Sequence, residues 1–377
     1  MCNLPSAFIS YTRSLFGEDL WQKYLASFNE STPVSIRLAK HTDISSLAHL
    51  PISGRIPWSA QGYYLYERPV FTLDPLLHAG AYYVQEASSQ YLNEVLRIVT
   101  KNLDIQLAAD FCASPGGKSL IIKDFLPSTA TLISNEFVRK RAWILAENIE
   151  KSFLATLSTN SDSPKIIVTN NSTEEIAHSG NIFDLILCDV PCSGEGMFRK
   201  DHATMDEWNL DNVMKCAKLQ REIVCNAWEC LREGGVIVYS TCTFNRSEDE
   251  DNVQFIIDEL GGEIIVEPRK FIPGRDLGEG QFMVAFSKKQ PVSRSKAKYR
   301  LNTLPYVIEE LTADTPRCNV SMDEALNFLR GQSITLPPDQ PKGIVAVCYN
   351  NYILGTVKNI GNRANNHYPK EWRIKHL

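Results

Sequence analysis

The sequence predicts an α/β protein whose central, doubly wound sheet is mostly parallel, with a small α+β appendage before it and a β-rich module after it. Short apolar segments alternate with amphipathic helical segments across residues 78–288, a pattern typical of successive βαβ units. Proline and glycine break the preceding residues into short pieces, and short strands follow the central region. A chain of 377 residues has room for two or three domains.

The N-terminal region, residues 1–77, combines a helix with at least one strand. Apolar residues recur at helical spacing from Phe8 to Phe28, and the run after Pro33 predicts a strand at 34–38. Prolines and a glycine then divide the rest of the region into short segments. We therefore expect a small α+β appendage here.

The central region, residues 78–288, supplies the sheet. Its helical stretches include 119–125, 139–151 and 213–232. Strands are predicted at 106–111, 131–135, 165–169, 183–188, 235–240, 263–266 and 282–286. The residues of chemical interest follow the carboxyl ends of these strands, where open α/β sheets bind their ligands.

The C-terminal region, residues 289–377, is expected to form a basic linker and a small β-rich module with strands at 343–349 and 352–357. A second basic segment, 342–377, has Glu371 as its only acid. Basic patches of this kind contact phosphates even when the whole chain carries a net charge of -5, although an ordinary solvated surface is the alternative. The linker is rich in cations and lacks acids: Lys288, Lys289, Arg294, Lys296, Lys298 and Arg300.

Composition narrows the class of protein. With 44% hydrophobic and 22% charged residues, the chain has the composition of a soluble globular protein. No apolar run approaches the roughly 20 residues that cross a bilayer, and the first residues lack the apolar stretch of a signal peptide. We therefore expect a cytoplasmic protein without membrane association. The ten cysteines include no Cys-x-x-Cys pair, so neither disulfides nor a metal site are expected.

A glycine-containing turn follows the strand that ends at Asp110. Its two glycines let the backbone pass close to a ligand, and the helix after it offers free N–H donors, although such turns also serve only to reverse the chain. Glu136 ends the next strand, near the spacing at which an acid meets ribose hydroxyls. Together these features favour a nucleoside cofactor without a phosphate chain, such as S-adenosylmethionine. The turn consists of Cys112, Ala113, Ser114, Pro115, Gly116, Gly117 and Lys118.

Two cysteines follow two different predicted strands. Cys192 lies in an Asp-Val-Pro-Cys-Ser-Gly segment and Cys242 in a Tyr-Ser-Thr-Cys-Thr segment. A thiolate that adds to carbon 6 of a cytosine makes carbon 5 nucleophilic enough to accept a methyl group. Asp189 could hydrogen-bond the base as charge develops, and the base would have to leave its stack to reach the pocket. The pattern therefore predicts covalent group transfer to a pyrimidine.

These motifs as a set resemble the Nol/Nop/Sun family of RNA cytosine-5 methyltransferases. The terminal segments 4–8 and 361–369 are similar to the bacterial subgroup that modifies small-subunit ribosomal RNA. The resemblance implies a Rossmann-like, S-adenosylmethionine-dependent methyltransferase sheet, an RNA-binding N-terminal appendage and a C-terminal PUA-like RNA-binding module. The expected partner is RNA, in particular 16S ribosomal RNA or the small subunit. The shared motifs are at 83–89, 113–118, 135–136, 189–194 and 239–243.

The resemblance also implies roles for individual residues. Cys242 would be the nucleophile, and Cys192 would assist breakdown of the covalent adduct. Asp189 would contact the base and the cofactor region, and Lys118 would line the catalytic pocket. The turn that ends at Lys118, together with Glu136, would hold S-adenosylmethionine.

The chain departs from the family pattern at two positions. Val190 replaces the usual alanine, which is a small apolar change. The family commonly has an aspartate after the third strand to contact adenine, whereas this chain has Asn170 followed by Asn171 and Ser172. We expect Asn170 to make the substitute contact, because its amide can still hydrogen-bond the edge of adenine. Asn171 and Ser172 are the alternatives.

Three other functions are compatible with parts of the pattern. In a DNA cytosine-5 methyltransferase the Pro-Cys cysteine attacks the base, and an RNA enzyme of this type could act on tRNA instead of rRNA. The two-cysteine arrangement and the basic tail favour RNA. A ribosome-assembly factor without catalysis is the third alternative, but the intact Lys118, Asp189, Cys192 and Cys242 argue against it.

Overall fold

The computed structural model of the protein describes residues 4–180, 182–289, 301–308 and 311–375. These residues form a seven-stranded sheet and two four-stranded sheets. Helices cover both faces of the large sheet, which confirms the predicted α/β class. Within the described ranges, no helix combines the length and the apolar character needed to cross a bilayer.

The N-terminal region contains the predicted helix and the predicted strand after Pro33, and this strand belongs to a four-stranded sheet. Its order is β2-β3-β1-β4, and all of its pairs are antiparallel. The fourth strand lies beyond the predicted region boundary at residue 77. It nevertheless belongs to this sheet, because it pairs with β1 through Ile36 and Val84. The elements are α1 (Ser6–Ser27, interrupted at Gly17), β1 (Val34–Leu38), β2 (Ile52–Arg55), β3 (Gly62–Leu65), α2 (Pro75–His78) and β4 (Tyr82–Val84).

The central sheet contains every strand that the sequence predicted for this region. Its order is β10-β11-β9-β8-β5-β6-β7. The five strands from β5 to β9 are parallel, whereas β10 and β11 are antiparallel to their neighbours. The strands are β5 (Leu107–Asp110), β6 (Thr131–Asn135), β7 (Lys165–Thr169), β8 (Phe183–Asp189), β9 (Leu231–Thr241), β10 (Gly262–Phe271) and β11 (Gln281–Lys288).

Helices of the central region pack on the two faces of this sheet and bury two apolar cores. One core includes Leu96, Ile121 and Leu145, and the other includes Val224 and Ile256. Burial of side chains of this size contributes roughly 1.5–3 kcal/mol each. The helices are α3 (Leu92–Val99), α4 (Gly117–Phe125), α5 (Arg139–Ser158), α6 (Thr173–Ala177), α7 (Ala203–Glu207), α8 (Leu210–Cys230) and α9 (Glu250–Leu260).

The C-terminal module is β-rich, as predicted. Its sheet has the order β12-β13-β14-β15, and it shares an apolar core with the N-terminal sheet that includes Tyr82, Phe328 and Tyr368. Most of the predicted basic linker, residues 290–300, lies outside the described residues. The elements are β12 (Arg317–Asn319), α10 (Met322–Leu329), β13 (Gly343–Tyr349), β14 (Tyr352–Asn359) and β15 (Ala364–Asn366).

Helix α1 packs on the central region. The ring of Phe8 lies 5.0 Å from that of Phe198 and 6.2 Å from that of Phe244. Aromatic pairs at such distances contribute about 0.5–1.5 kcal/mol beyond their buried area. Because Phe198 and Phe244 lie shortly after Cys192 and Cys242 in the chain, α1 stabilises the loops that carry both cysteines.

Candidate active site

The candidate site lies at the carboxyl ends of the five neighbouring parallel strands, β5 to β9. The chain runs outward from β5 to β6 and β7, then crosses to β8 on the other side of β5 and continues to β9. The order of the strands therefore reverses between β5 and β8. Ligands of open α/β sheets bind at such a reversal, because the loops there diverge and leave a crevice.

The two predicted cysteines meet in this crevice. Asp189 pairs with Ser240 at the ends of β8 and β9, so the loops that follow start side by side. The Sγ atoms of Cys192 and Cys242 lie 2.9 Å apart, and both residues are half-buried. The hydrogen bond with Cys242, together with burial, raises the pKa of the Cys192 thiol well above its usual range. Cys192 is therefore a protonated thiol beside Cys242.

An ion pair lies next to the two thiols. The Lys118 Nζ atom is 2.8 Å from Asp189 Oδ2, and the Ser240 hydroxyl donates to Asp189 Oδ1 at 2.9 Å. Burial alone would lower the pKa of Lys118, but the charge of Asp189 and its hydrogen bond outweigh burial and raise this pKa. Negative charge at Cys242 raises it further. Lys118 therefore carries a positive charge in the crevice.

The glycine-containing turn is anchored to the neighbouring strand and helix. The Ala113 N–H donates to the main-chain oxygen of Asn135 at 2.8 Å, and the Asn148 side chain donates to the main-chain oxygen of Pro115 at 2.8 Å. Gly116 has a φ of 119°, which glycine adopts without strain, and α4 begins at the next residue. Burial raises the pKa of the Cys112 thiol, so this cysteine stays neutral. The turn thus holds the start of α4 against the crevice.

Glu136 follows β6, on the opposite side of the turn from the cysteines. It is 3% exposed, and its Oε1 atom accepts the Val138 N–H at 2.8 Å. Arg141 lies 3.6 Å from its Oε2 atom. The side chains of Phe137 and Val138 are 70% and 47% exposed. A carboxylate and an apolar surface therefore lie next to each other at the end of β6.

The three residues after β7 differ in their hydrogen bonds. The Asn170 side-chain amide donates to the main-chain oxygens of Glu136 and Phe137 at 2.7 and 2.8 Å. The Asn171 side-chain amide donates to the main-chain oxygen of Asn302, and the Ser172 hydroxyl caps α6. Asn170 is thus the one of the three whose side chain bonds to Glu136 and Phe137, whereas the main chain of Asn171 bonds to the Asn135 side chain.

The sequence interpretation did not include two buried carboxylates beside the cysteines, Glu195 and Glu248. Glu195 accepts hydrogen bonds from the Thr243 hydroxyl at 2.5 Å and the Trp208 indole at 3.0 Å. Burial raises the pKa of both carboxyl groups. The sequence signal that could have identified them is their position: Glu195 follows Cys192 in the chain, and Glu248 follows Cys242. Within the described residues, no group of three or more His, Cys, Asp or Glu side chains has the geometry of a metal site.

Comparison with known protein families gives three consecutive matches. Residues 98–285 match the family described as 16S rRNA methyltransferase RsmB/F. Residues 4–87 match the N-terminal domain of 16S rRNA methyltransferase RsmF, and residues 315–374 match the methyltransferase RsmF PUA domain. The chain belongs to the RsmB/F methyltransferase family. The predicted family resemblance and the PUA-like module are therefore confirmed.

Several similar proteins carry the description "Ribosomal RNA small subunit methyltransferase F". The protein from Photobacterium profundum is 27% identical over 89% of this chain and 73% of its own length. The one from Serratia proteamaculans is 30% identical over 70% of this chain and 55% of its own length. The one from Aliivibrio fischeri is 32% identical over half of this chain, and the match spans 38% of that relative.

Two solved structures share the fold of this RsmB/F family member. A methyltransferase homolog protein from Pyrococcus horikoshii superposes with a TM-score of 0.60 at 21% identity, covering 76% of this chain and 100% of that one. The structure of NSun6 from the same organism with SFG gives a TM-score of 0.61 at 20% identity, covering 76% of this chain and 98% of that one. These likenesses support the methyltransferase fold.

Proposed function

We propose that this protein methylates carbon 5 of a cytosine in RNA, with 16S ribosomal RNA as substrate and S-adenosylmethionine as methyl donor. The observation that carries the proposal is the 2.9 Å contact between the thiols of Cys192 and Cys242, beside the Lys118–Asp189 ion pair. A pair of thiols next to a buried cation suits a reaction in which one sulfur attacks a ring carbon and must later leave it.

The residues around the turn fit S-adenosylmethionine. The free N–H groups at the start of α4, in the turn that ends at Lys118, offer donors to a carboxylate, and Glu136 offers acceptors to the two ribose hydroxyls. The exposed side chains of Phe137 and Val138 offer an apolar surface to adenine, with Asn170 beside them. The turn consists of Cys112, Ala113, Ser114, Pro115, Gly116, Gly117 and Lys118. When bound, this cofactor supplies an electrophilic methyl group.

In the first step, we propose, the Cys242 thiolate adds to carbon 6 of the cytosine. The Lys118 ammonium group stabilises the thiolate, because it is a cation in a site that excludes much of the solvent. Asp189, held by Lys118 and Ser240, is oriented to hydrogen-bond the base as charge develops on the ring. The target base would leave its stack to enter the crevice.

In the last step, a general base takes the carbon 5 proton, the electrons of that C–H bond re-form the double bond between carbons 5 and 6, and the bond between Cys242 and carbon 6 breaks. The electrons of that bond return to sulfur, so the departing group is a thiolate. Cys192, which keeps its proton, is within hydrogen-bond distance of that sulfur and stabilises it as it leaves. This assigns attack to Cys242 and assistance in release to Cys192.

RNA as the substrate rests on the family and on the PUA domain match. The family description and the names of the similar proteins specify 16S or small-subunit rRNA. The alternatives are that the protein methylates tRNA or DNA, and both are included as substrates in the test below. A DNA cytosine-5 methyltransferase would attack the base through Cys192 instead of Cys242.

Transfer of a labelled methyl group tests this proposal. The purified protein is incubated with labelled S-adenosylmethionine and, separately, with 16S rRNA, small subunits, tRNA or DNA. We expect incorporation into 16S rRNA or small subunits, none with Cys242→Ala, and a single 5-methylcytosine by bisulfite sequencing. No incorporation into any rRNA or subunit would contradict the enzymatic proposal, and preferential incorporation into tRNA or DNA would contradict the substrate.

A further inference from the structure

Glu248 and Gln220 form a buried clasp around the backbone of Cys192. We propose that these two side chains are positioning residues, which hold Cys192 against Cys242 and so determine how fast the covalent adduct is released. This inference rests on the proposed function, because it concerns the step in which Cys192 assists.

Glu248 binds the peptide that follows Cys192. The Ser193 N–H donates to its two carboxylate oxygens at 3.0 and 3.3 Å. The same carboxylate accepts a hydrogen bond from the Gln220 side chain at 2.6 Å and one from the Asn245 side chain at 2.7 Å. Glu248 is fully buried. All of these donors are held in a site without solvent, where such bonds are strong and directional.

Gln220, on α8, binds the peptide that precedes Cys192. Its side-chain nitrogen donates to the main-chain oxygen of Pro191 at 2.8 Å as well as to Glu248. Its side-chain oxygen accepts from Asn252 at 2.8 Å, which fixes the orientation of the amide. The backbone is therefore held on both sides of Cys192.

Each cysteine loop has its own carboxylate. Glu248 holds the loop of Cys192, whereas Glu195 accepts from the Thr243 hydroxyl and the Phe244 N–H in the loop of Cys242. Neither carboxylate has a hydrogen bond to a thiol among those of the described residues. The Asn245 side chain donates to both carboxylates, at 3.1 Å to Glu195 and at 2.7 Å to Glu248. Because Glu248 bonds the peptide N–H directly after Cys192, a change at Glu248 should displace Cys192 more than Cys242. Release of the adduct should then slow while its formation is preserved.

Glu248→Gln tests this, because the side chain keeps its shape but one oxygen becomes an NH2 group. In either orientation of the new amide, its NH2 group faces the side-chain NH2 group of Gln220 or that of Asn245, so one hydrogen bond is replaced by two opposed donors. With unmodified substrate RNA, we expect the covalent protein–RNA complex at steady state to increase about tenfold and kcat to fall accordingly, because hydrogen bonds to a charged group are lost. The rate of adduct formation in a single turnover should stay within about twofold of the wild type.

A matched control is Glu259→Gln, the same change at an exposed position on α9, which should behave as the wild type. Gln220→Met removes the bonds to Pro191 and Glu248 at similar volume, and it decides the question if Glu248→Gln does not fold. Release at the wild-type rate in a folded variant, while Cys192→Ala accumulates adduct, would overturn the inference. Loss of formation and release together would show a general structural role and overturn it too. If neither the wild type nor Cys192→Ala forms an adduct, the proposed function itself has failed.

Discussion

The ammonium group of Lys118 and the carboxylate of Asp189 form a 2.8 Å ion pair that joins the glycine-containing turn to the loop of Cys192. Their side chains are 13% and 29% exposed, so the pair is largely withdrawn from water. Because Lys118 lies in the first turn of α4 and Asp189 ends β8, the pair connects the proposed cofactor and base positions.

Asp189→Asn should lower methyl transfer by about 10²-fold or more, because it removes a group aimed at the developing charge on the base. It also leaves Lys118 buried without its counter-charge, so the pKa of Lys118 should fall. Steady-state methyl transfer checks this, with the exposed Asp258→Asn as the matched control. Wild-type activity in Asp189→Asn would remove this residue from the mechanism.

Glu136→Gln should weaken binding of S-adenosylmethionine about tenfold or more. The carboxylate can accept two hydroxyl donors, and hydrogen bonds to a charged group contribute about 1.5–3 kcal/mol. Isothermal titration with the cofactor measures the change. Glu174→Gln, an exposed change on α6, should leave the affinity unaltered, and equal affinities for both variants would exclude Glu136 from the cofactor site.

Asn170→Asp introduces the aspartate that the family resemblance implies at this position, yet it should destabilise this protein. The Asn170 amide donates to two main-chain oxygens at 2.7 and 2.8 Å, and a carboxylate there would face them without a proton. We expect a loss of about 1–3 kcal/mol in the free energy of unfolding and weaker cofactor binding. Chemical denaturation checks this against Asn29→Asp, an exposed change. Higher stability of Asn170→Asp would contradict these contacts.

His78 should make the protein sensitive to acid. It is buried between the N-terminal region and the C-terminal module, where its Nε2 atom is 3.0 Å from the main-chain oxygen of Thr72 and its Nδ1 atom is 3.4 Å from the Tyr368 hydroxyl. Burial, with the nearby charge of Lys151, lowers the pKa of His78 to about 4. At pH values between about 4 and its unfolded pKa of about 6.5, the His78 imidazole binds a proton in the unfolded chain but not in the folded protein.

The free energy of unfolding should therefore fall as the pH is lowered from about 6.5 to about 4, by up to roughly 3 kcal/mol from this group. Urea denaturation at several pH values measures it. Other groups titrate in the same range, so the comparison is with His78→Gln, whose stability should fall less. Parallel curves for the two proteins would show that His78 is not buried in its neutral form.

Much of the fold could be predicted because the strands of the central sheet are apolar runs with clear ends. The run that ends near Asp189 and the run that ends near Ser240 are both buried on two sides, which distinguishes them from the amphipathic helices between them. The motifs after these runs identified the cysteines. That β8 and β9 are neighbours, which brings the thiols to 2.9 Å, is a property of the sheet order and not of either motif.

Strand direction, strand partners and the clasp around Cys192 depend on contacts between residues that are far apart in the chain. The spacing of apolar residues along the sequence does not predict such contacts. The antiparallel direction of β11 is set by its pairing with β9, and β4 joins the N-terminal sheet through β1. Glu248 and Gln220 are separated from Cys192 in the chain and are ordinary polar residues in the sequence. Only their burial and their bonds to Pro191 and Ser193 reveal the clasp.

Covalent trapping on RNA that contains 5-fluorocytosine tests the central claim, attack by the Cys242 sulfur. After methyl transfer, fluorine at carbon 5 blocks the elimination that would free the protein, so an attacking enzyme stays bound and migrates as a complex on a denaturing gel. We expect a complex with the wild type and with Cys192→Ala, and none with Cys242→Ala. A complex with Cys242→Ala and none with Cys192→Ala would contradict the assignment.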